Sequence, residues 1–226
     1  MKKHRLLFRF TQTCNKKNVK TTIQQHMKIK VNIAANAAGV TLAKYIDYQN
    51  AVDKVEQVHI ITGKSTESIK ILQMHVIDEI ISKFEAALQL SPEGFDRKVR
   101  LGITELGFVP NLNEMSFGEY IDLDSSCSNL YQDGKLNGEA ALKMMCILYR
   151  PIKAKFGKYY DIAPYSTTAI AKYKDDVKQL TLAHVLNVLL FFSSLEIELY
   201  NSSLEYLAKE ITEIVKEMKQ EQPLMD

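Results

Sequence analysis

Residues 98–108 read KVRLGITELGF, and this stretch decides the fold class that the sequence predicts. The apolar side chains of Val99, Leu101 and Ile103 alternate with polar or small residues, until Pro110 ends the pattern. A period of two is typical of a half-buried β-strand and does not suit a helix. The chain is therefore expected to contain a sheet as well as helices.

Two further segments are candidates for the same small sheet. KYYDI at 158–162 is bounded by Gly157 and Pro164, and we expect it to be the partner of 98–108. KIKVNI at 28–33 also alternates polar and apolar residues. Because each of these segments is short, we expect a small antiparallel sheet.

Helical spacing dominates the rest of the chain. The clearest amphipathic pattern covers 66–88, where apolar residues recur at intervals of three and four. Residues 139–149 are apolar on nearly every side, which predicts a buried central helix ending at Pro151. Further helices are predicted to start at Thr41 and Ser116 and to cover 181–200.

These patterns together predict an α+β protein that is predominantly α-helical. It would contain strand-helix units, a small antiparallel sheet and a C-terminal helical segment. We expect a basic N-terminal arm at 1–27, a body at 28–200 and an amphipathic helix at 201–226. The body has two possible repeat units, 28–92 and 95–165.

A short motif recurs along the chain as VTLAKYIDY at 40–48, MSFGEYIDL at 115–123 and LTLAHVL at 180–186. In each copy a hydroxyl residue follows an apolar one, as expected for a helix N-cap. The recurrence has two interpretations, a common way of starting a helix or an ancient duplication of a strand-helix unit.

Composition limits the class of protein. The chain has 226 residues, of which 46% are hydrophobic and 25% charged, as in soluble globular proteins. This excludes a collagen, a wholly disordered chain and a multi-span membrane protein. The three cysteines Cys14, Cys127 and Cys146 form no CxxC pair, which favours a reducing compartment.

Charge is distributed unevenly. Residues 1–46 hold ten basic side chains and no acid, which leaves 19 basic and 27 acidic side chains in the remainder. Such an arm suits nucleic acid, an anionic membrane surface or the acidic face of a neighbouring subunit. The candidate contacts are Lys2, Lys3, Arg5, Arg9, Lys16, Lys17 and Lys20.

Four carboxylates crowd one segment and form a candidate acidic docking patch: Glu114, Glu119, Asp122 and Asp124. Their spacing matches no calcium-binding EF-hand loop. We therefore expect a solvated patch, where a basic arm could dock.

The C-terminal segment carries a heptad seam, which is a candidate subunit or partner interface formed by Leu204, Leu207, Ile211, Ile214 and Met218. The seam could dock on its own body or on a neighbouring subunit, and both alternatives stay open. The apolar run at 180–195 is shorter than the ~20 residues of a bilayer span, so no membrane span is predicted.

Catalytic motifs are not apparent. ITGKST at 61–66 resembles the end of a phosphate-binding loop, but Val58 stands where that motif needs glycine, so a helix-loop-helix turn is expected. No two histidines are spaced to share a metal on one helix. His184 is expected to be a hydrogen-bonded core histidine. We predict no enzymatic activity, no cofactor and no metal.

Three segments carry a family resemblance: GFVPNLNEMSFGEYIDL at 107–123, MCILYRPI at 145–152 and GKYYDI at 157–162. They resemble a pattern in structural-cluster proteins of tailed bacteriophages, in particular the crAss-like phages. The resemblance covers about residues 95–200. It brings no catalytic motif.

The resemblance implies a structural role in the virion, made in the host bacterial cytoplasm. The chain would be an oligomeric ring subunit of the neck or tail, in the connector region between portal and tail hub. One alternative is a tail assembly chaperone that is absent from the mature virion. Another is a nucleic-acid-binding accessory protein that contacts DNA through the basic arm.

Overall fold

The computed structural model describes residues 31–89 and 94–220. Over these residues it is a mainly helical α+β protein, which confirms the predicted fold class. The helices are α1 (Leu42–Asn50), α2 (Lys54–Thr62), α3 (Thr66–Lys70), α4 (Met74–Leu88), α5 (Phe117–Ser128), α6 (Gly138–Leu148), α7 (Thr167–Val177) and α8 (Leu182–Gln220). The strands are β1 (Lys98–Leu101), β2 (Thr104–Phe108), β3 (Tyr131–Gln132), β4 (Lys135–Leu136), β5 (Tyr149–Phe156) and β6 (Tyr159–Ile162). The predicted basic arm lies outside the described residues.

Side-chain caps start α1 and α5 at the predicted positions. Thr41 Oγ1 accepts a hydrogen bond from the Lys44 amide at 3.2 Å. Ser116 forms a full capping box with Glu119, because each side chain accepts from the other residue's amide, at 3.3 and 2.7 Å. These caps satisfy amides that the first helical turn leaves without a partner.

Two predicted helical runs are each divided in the structure. The helical spacing that starts at Thr41 continues to Val55 in the sequence, but α1 ends at Asn50 and Asp53 caps a new helix, leaving Val52 92% exposed between them. The run at 66–88 is interrupted at 71–73. Apolar spacing continues across both interruptions, so periodicity alone could not reveal them.

Helix α6 is the centre of the core. Nine of its eleven residues are buried, which confirms the predicted central helix at 139–149. It ends at Leu148, and β5 begins at the next residue, so Pro151 lies inside a strand instead of ending a helix. Pro151 is paired with Leu106 of β2.

The four-stranded antiparallel sheet has the order β1-β2-β5-β6. Residues 98–108 form a hairpin and not the single strand we predicted, because Gly102 turns the chain with φ +60°. The predicted pairing of 98–108 with 158–162 is also wrong. Strand β5 lies between them, and β6 pairs with β5.

The remaining short segments also differ from expectation. The predicted polar loop after α5 contains the β3–β4 hairpin, turned by Asp133 (φ 50°) and Gly134 (φ 73°). Two successive positive φ angles match a type I′ turn. Of the predicted strand at 28–33, the described residues 31–33 form no named strand, and the others lie outside the described residues.

The first and third copies of the recurrent motif meet in space. Thr41 and Thr181 form an isolated antiparallel bridge. Leu42 N donates to Leu180 O at 2.8 Å, and Leu182 N donates to Val40 O, also at 2.8 Å. The bridge therefore ties the start of α1 to the start of α8.

The proposed duplication gains no support from the described residues. In the first possible unit, 28–92, they form helices, whereas the second unit, 95–165, contains every named strand of the described chain. The common interpretation, that helices start this way, accounts for the motif.

Helix α8 is continuous over 39 residues and has no break at 201, where we expected a separate helix to begin. Its start is packed into the core, with Leu182, Val185 and Val188 at most 2% exposed. Phe191 stacks on Phe95 with ring centroids 5.0 Å apart. The core thus holds the root of a helix that extends well beyond it.

Replacing Gly107 by alanine is expected to lower the free energy of unfolding by about 1–3 kcal/mol. A Cβ atom there would overlap the ring of Tyr160 and lie 3.0 Å from Ile152 Cγ1. The ring cannot move aside easily, since Tyr160 Oη donates to Phe108 O at 2.7 Å.

Urea denaturation measures this effect, with Gly118→Ala as the matched control. A Cβ at Gly118 meets nothing within 4 Å in α5, so this variant should be as stable as the wild type or more stable. Equal stability of Gly107→Ala and the wild type would contradict the predicted overlap.

Candidate functional site

The second half of α8 leaves the body of the protein. Every residue from 196 to 212 is exposed, and we refer to this segment as the exposed half of α8. Its large apolar side chains are 46–64% exposed. They are Ile197, Leu199, Tyr200, Leu204, Tyr206, Leu207 and Ile211. An exposed apolar surface of this kind marks an interaction site.

Three residues of the predicted heptad seam lie along this segment. Leu204, Leu207 and Ile211 are 46%, 52% and 60% exposed, so within the described part of the chain they are not packed against the body. Ile214 and Met218 belong to α8, but their side chains lie outside the described part of the structure.

Sequence reasoning missed two members of the seam. Ile197 and Tyr200 precede Leu204 by seven and four positions and are 60% and 64% exposed. The same 3-4 spacing could have found them, but the sequence predicts one helix over 181–200 and a separate one over 201–226, which divides the seam. Continuity of α8 makes them part of one seam.

Helix α8 is also long and apolar enough, over Leu182–Thr212, to cross a membrane. This is weak evidence, because a core helix passes the same test and the first part of α8 is packed in the core. The exposed half carries five charged residues, Glu196, Glu198, Glu205, Lys209 and Glu210. Charges at this density oppose insertion into hydrocarbon.

The predicted solvated acidic patch is wrong for Glu119. This residue is 6% exposed, and its Oε1 lies 2.7 Å from Nη2 of Arg150, which is also 6% exposed. Glu119 therefore joins the start of α5 to β5 through a buried ion pair. It cannot act as a surface dock for a basic arm.

The other three acids of the patch have different environments. Glu114 is exposed and accepts a hydrogen bond from Asn111 Nδ2 at 2.8 Å. Asp122 accepts one from the hydroxyl of Tyr165. Asp124 is exposed. What remains of the patch is smaller than the sequence indicated.

A surface groove of about 780 Å³ lies between α1, α2, α4, the β3–β4 hairpin and the start of α8. Lys54 Nζ and Asp78 Oδ1 are 2.7 Å apart at its wall. Tyr48 Oη donates to Glu85 at 3.1 Å, and burial together with this carboxylate raises the Tyr48 pKa. These wall groups pair with each other. Sequence reasoning missed the groove because its lining comes from five separated segments.

The remaining chemical candidates behave as structural residues. Helix α2 ends at Thr62, Gly63 caps it with φ 66°, and α3 begins at Thr66, which confirms the helix-loop-helix turn at 61–66. Burial raises the pKa of Cys146 to about 12. Desolvation and Asp124 raise the pKa of Cys127, which opposes the thiolate form that a nucleophile needs. Among the side chains that the structure describes, in 31–89 and 94–212, no three His, Cys, Asp or Glu residues are grouped as metal ligands.

Comparison with protein-family models, with curated proteins and with solved structures finds no match for this chain. The functional argument therefore depends on the geometry above.

His184 is a hydrogen-bonded histidine at the root of α8, as predicted. Its Nδ1 accepts from the Thr181 amide at 3.2 Å and lies 2.7 Å from the Thr181 hydroxyl oxygen. Desolvation lowers the His184 pKa below 6.5, partly opposed by Asp96, whose carboxylate lies 3.9 Å from Nε2.

Because the folded state disfavours protonated His184, the stability it contributes is present above pH 6.5 and is lost as the pH falls below that value. We expect the free energy of unfolding to fall between about pH 7.5 and about pH 5.5, and less so in His184→Gln. Urea denaturation across this range checks the prediction. His75→Gln, at an exposed position, should keep the wild-type slope. Identical slopes for both variants would disprove the assignment.

Proposed function

We propose that this chain is a non-enzymatic structural protein of a tailed-bacteriophage virion. It acts by oligomerising, as a ring subunit of the neck or tail in the portal-to-tail connector region. The observation that carries the proposal is the exposed half of α8. It presents seven large apolar side chains to solvent in a chain whose other elements surround one core. Burying such area against a protein partner removes apolar surface from water, which favours association.

The charges on the same segment favour a protein partner over a membrane. Glutamates and one lysine lie among the apolar residues, as at the polar rim of a protein interface. The packed root of α8 fixes the segment to the body, so its docking would position the whole subunit.

The resemblance to phage structural-cluster proteins supports the virion part of the proposal. The segments at 107–123, 145–152 and 157–162 fold into β2, α5, the end of α6, β5 and β6. These elements include the core helix and three strands of the sheet. The resemblance therefore concerns the body, whereas the exposed half of α8 is an extension of it.

A closed ring would require a different surface of each subunit to contact the next one. The basic arm at 1–27 and the exposed acids Glu114 and Asp124 provide opposite charges for such a contact. In this scheme the neighbours are other copies of the chain, together with portal and tail-hub proteins.

Quantitative mass spectrometry of purified virions from the source phage tests the proposal. The expected result is this chain at a fixed small multiple of the portal protein. Abundance in infected-cell lysate with absence from particles would contradict it and indicate a tail assembly chaperone.

Deletion of residues 1–26 tests the nucleic-acid alternative separately. If the chain is a ring subunit, the deletion should alter its assembly. It should not remove a salt-sensitive binding to DNA. Loss of DNA retention, with affinity falling steeply as salt rises, would instead favour the accessory role.

A further inference from the structure

The seam on the exposed half of α8 is longer than the five residues recognised in the sequence. It begins at Ile197 and alternates steps of three and four through Tyr200, Leu204, Leu207 and Ile211. All five side chains are exposed. Ile214 and Met218 continue the same spacing in the sequence. The seam therefore covers three heptads on one uninterrupted helix.

An apolar repeat of 3.5 residues matches a particular kind of partner. A seam of this period stays in contact with another helix only if the two supercoil, and the second helix then needs the same repeat. A flat surface or an extended peptide has no such requirement. A second copy of this chain supplies the matching helix.

The charges beside the seam select an orientation. If Ile197 and Leu204 are a positions, the g positions of the exposed half hold Glu196, Ser203 and Glu210, and the e positions hold Asn201 and Ala208. In an antiparallel pair the two g rows face each other, which brings glutamates of both helices together. In a parallel pair each g row faces an uncharged e row. Like-charge repulsion therefore disfavours the antiparallel pair.

We propose that the exposed halves of α8 from two or more copies of this chain associate as a parallel, in-register coiled coil. The proposal rests on the proposed function and specifies which surface forms the contact between subunits. Parallel helices are compatible with a ring, because all subunits related by one rotation axis point in the same direction along it. An antiparallel pair would require a two-fold axis perpendicular to the helices.

Leu207→Asp tests whether the seam makes the contact. Leu199→Asp is the matched control, because Leu199 is 62% exposed on the same segment but lies outside the seam. Sedimentation velocity of the full chain should show at least a tenfold weaker association for Leu207→Asp. Leu199→Asp should stay within about twofold of the wild type. Both residues are exposed in the monomer, and circular dichroism confirms that each variant is folded.

Cysteine crosslinking tests the orientation. Tyr200→Cys, in a chain that also carries Cys14→Ser and Cys127→Ser, should form a disulfide-linked dimer on oxidation. The two copies of position 200 meet in a parallel, in-register pair, whereas an antiparallel pair along the whole seam brings equal positions together only near its centre, close to Leu207. Leu199→Cys in the same background should remain uncrosslinked.

The outcomes separate this proposal from the proposed function. An oligomer that survives Leu207→Asp, or that gives no Tyr200→Cys crosslink, overturns the parallel coiled coil but leaves assembly intact. Equal weakening by Leu199→Asp and Leu207→Asp overturns the seam as the specific contact. A wild-type chain that is monomeric at high micromolar concentration overturns both.

Discussion

Replacing Glu119 by alanine is expected to lower the free energy of unfolding by about 3–5 kcal/mol, the largest effect among the four acids of the predicted acidic patch. Arg150 would keep its charge in a site where it is only 6% exposed. Its Nε has no hydrogen-bond partner among the described residues even in the wild type. The variant also loses one hydrogen bond of the capping box, which the Glu119 carboxylate accepts from the Ser116 amide.

Chemical denaturation of three variants checks this expectation. Glu114→Ala, which removes an exposed carboxylate, should change the stability by less than about 0.5 kcal/mol. The double variant Glu119→Leu with Arg150→Met should recover much of the loss, because no uncompensated charge remains buried. A double variant as unstable as Glu119→Ala alone would show that the ion pair is not the cause.

Phe84→Ala is expected to cost about 3–5 kcal/mol, since it empties a large volume at the core side of α4. Phe84 is fully buried, and its ring contacts that of Tyr48 edge to face with centroids 4.9 Å apart. The cavity would lie under the surface groove, whose lining includes Tyr48.

Phe117→Ala is the matched control for this substitution. Phe117 begins α5 and is 77% exposed, so removing its ring should change the stability by less than about 0.5 kcal/mol. Thermal denaturation of both variants measures the difference. Similar melting temperatures would mean that Phe84 is not a core residue.

Local chemistry explains which parts of the fold were predictable. A helix start depends on one side chain and the amides two or three residues later, so Thr41 and Ser116 could be identified from a few letters. The burial of α6 followed from apolar residues on all its sides. The apolar run around His184 predicted a core histidine, and the structure has it hydrogen-bonded but half-buried at the edge of the core.

Non-local pairing explains what the sequence could not show. The hairpin in 98–108 keeps apolar residues on both sides of Gly102, at Val99 and Leu101 before it and at Leu106 and Phe108 after it, so the stretch looks like one strand although the apolar positions change from odd to even. Strand β5 follows α6 without an intervening loop, and Pro151 within it argued against a strand. The order of the sheet depends on pairing between segments about forty residues apart, such as Gly107 with Arg150.

In the candidate sites, too, local features could be predicted and non-local contacts could not. The seam was visible as spacing, but its exposure and its extension to Ile197 depended on α8 being one helix. Glu119 looked like its acidic neighbours, because its partner Arg150 lies 31 positions away in the sequence. Whether a charged residue is buried depends on a segment that is distant in the sequence, and the spacing of residues within one segment contains no information about it.

The continuity of α8 also has a mechanical consequence. From residue 196 to Gln220 the helix extends about 37 Å at 1.5 Å per residue, so a tilt of about 10° at its root would displace the tip by about 6 Å. The root is wedged against aromatic rings of Phe95 and Phe108 through Phe191. Force applied at the tip therefore acts as torque on the hairpin β1–β2, and small rearrangements of those rings are amplified into large displacements at the far end.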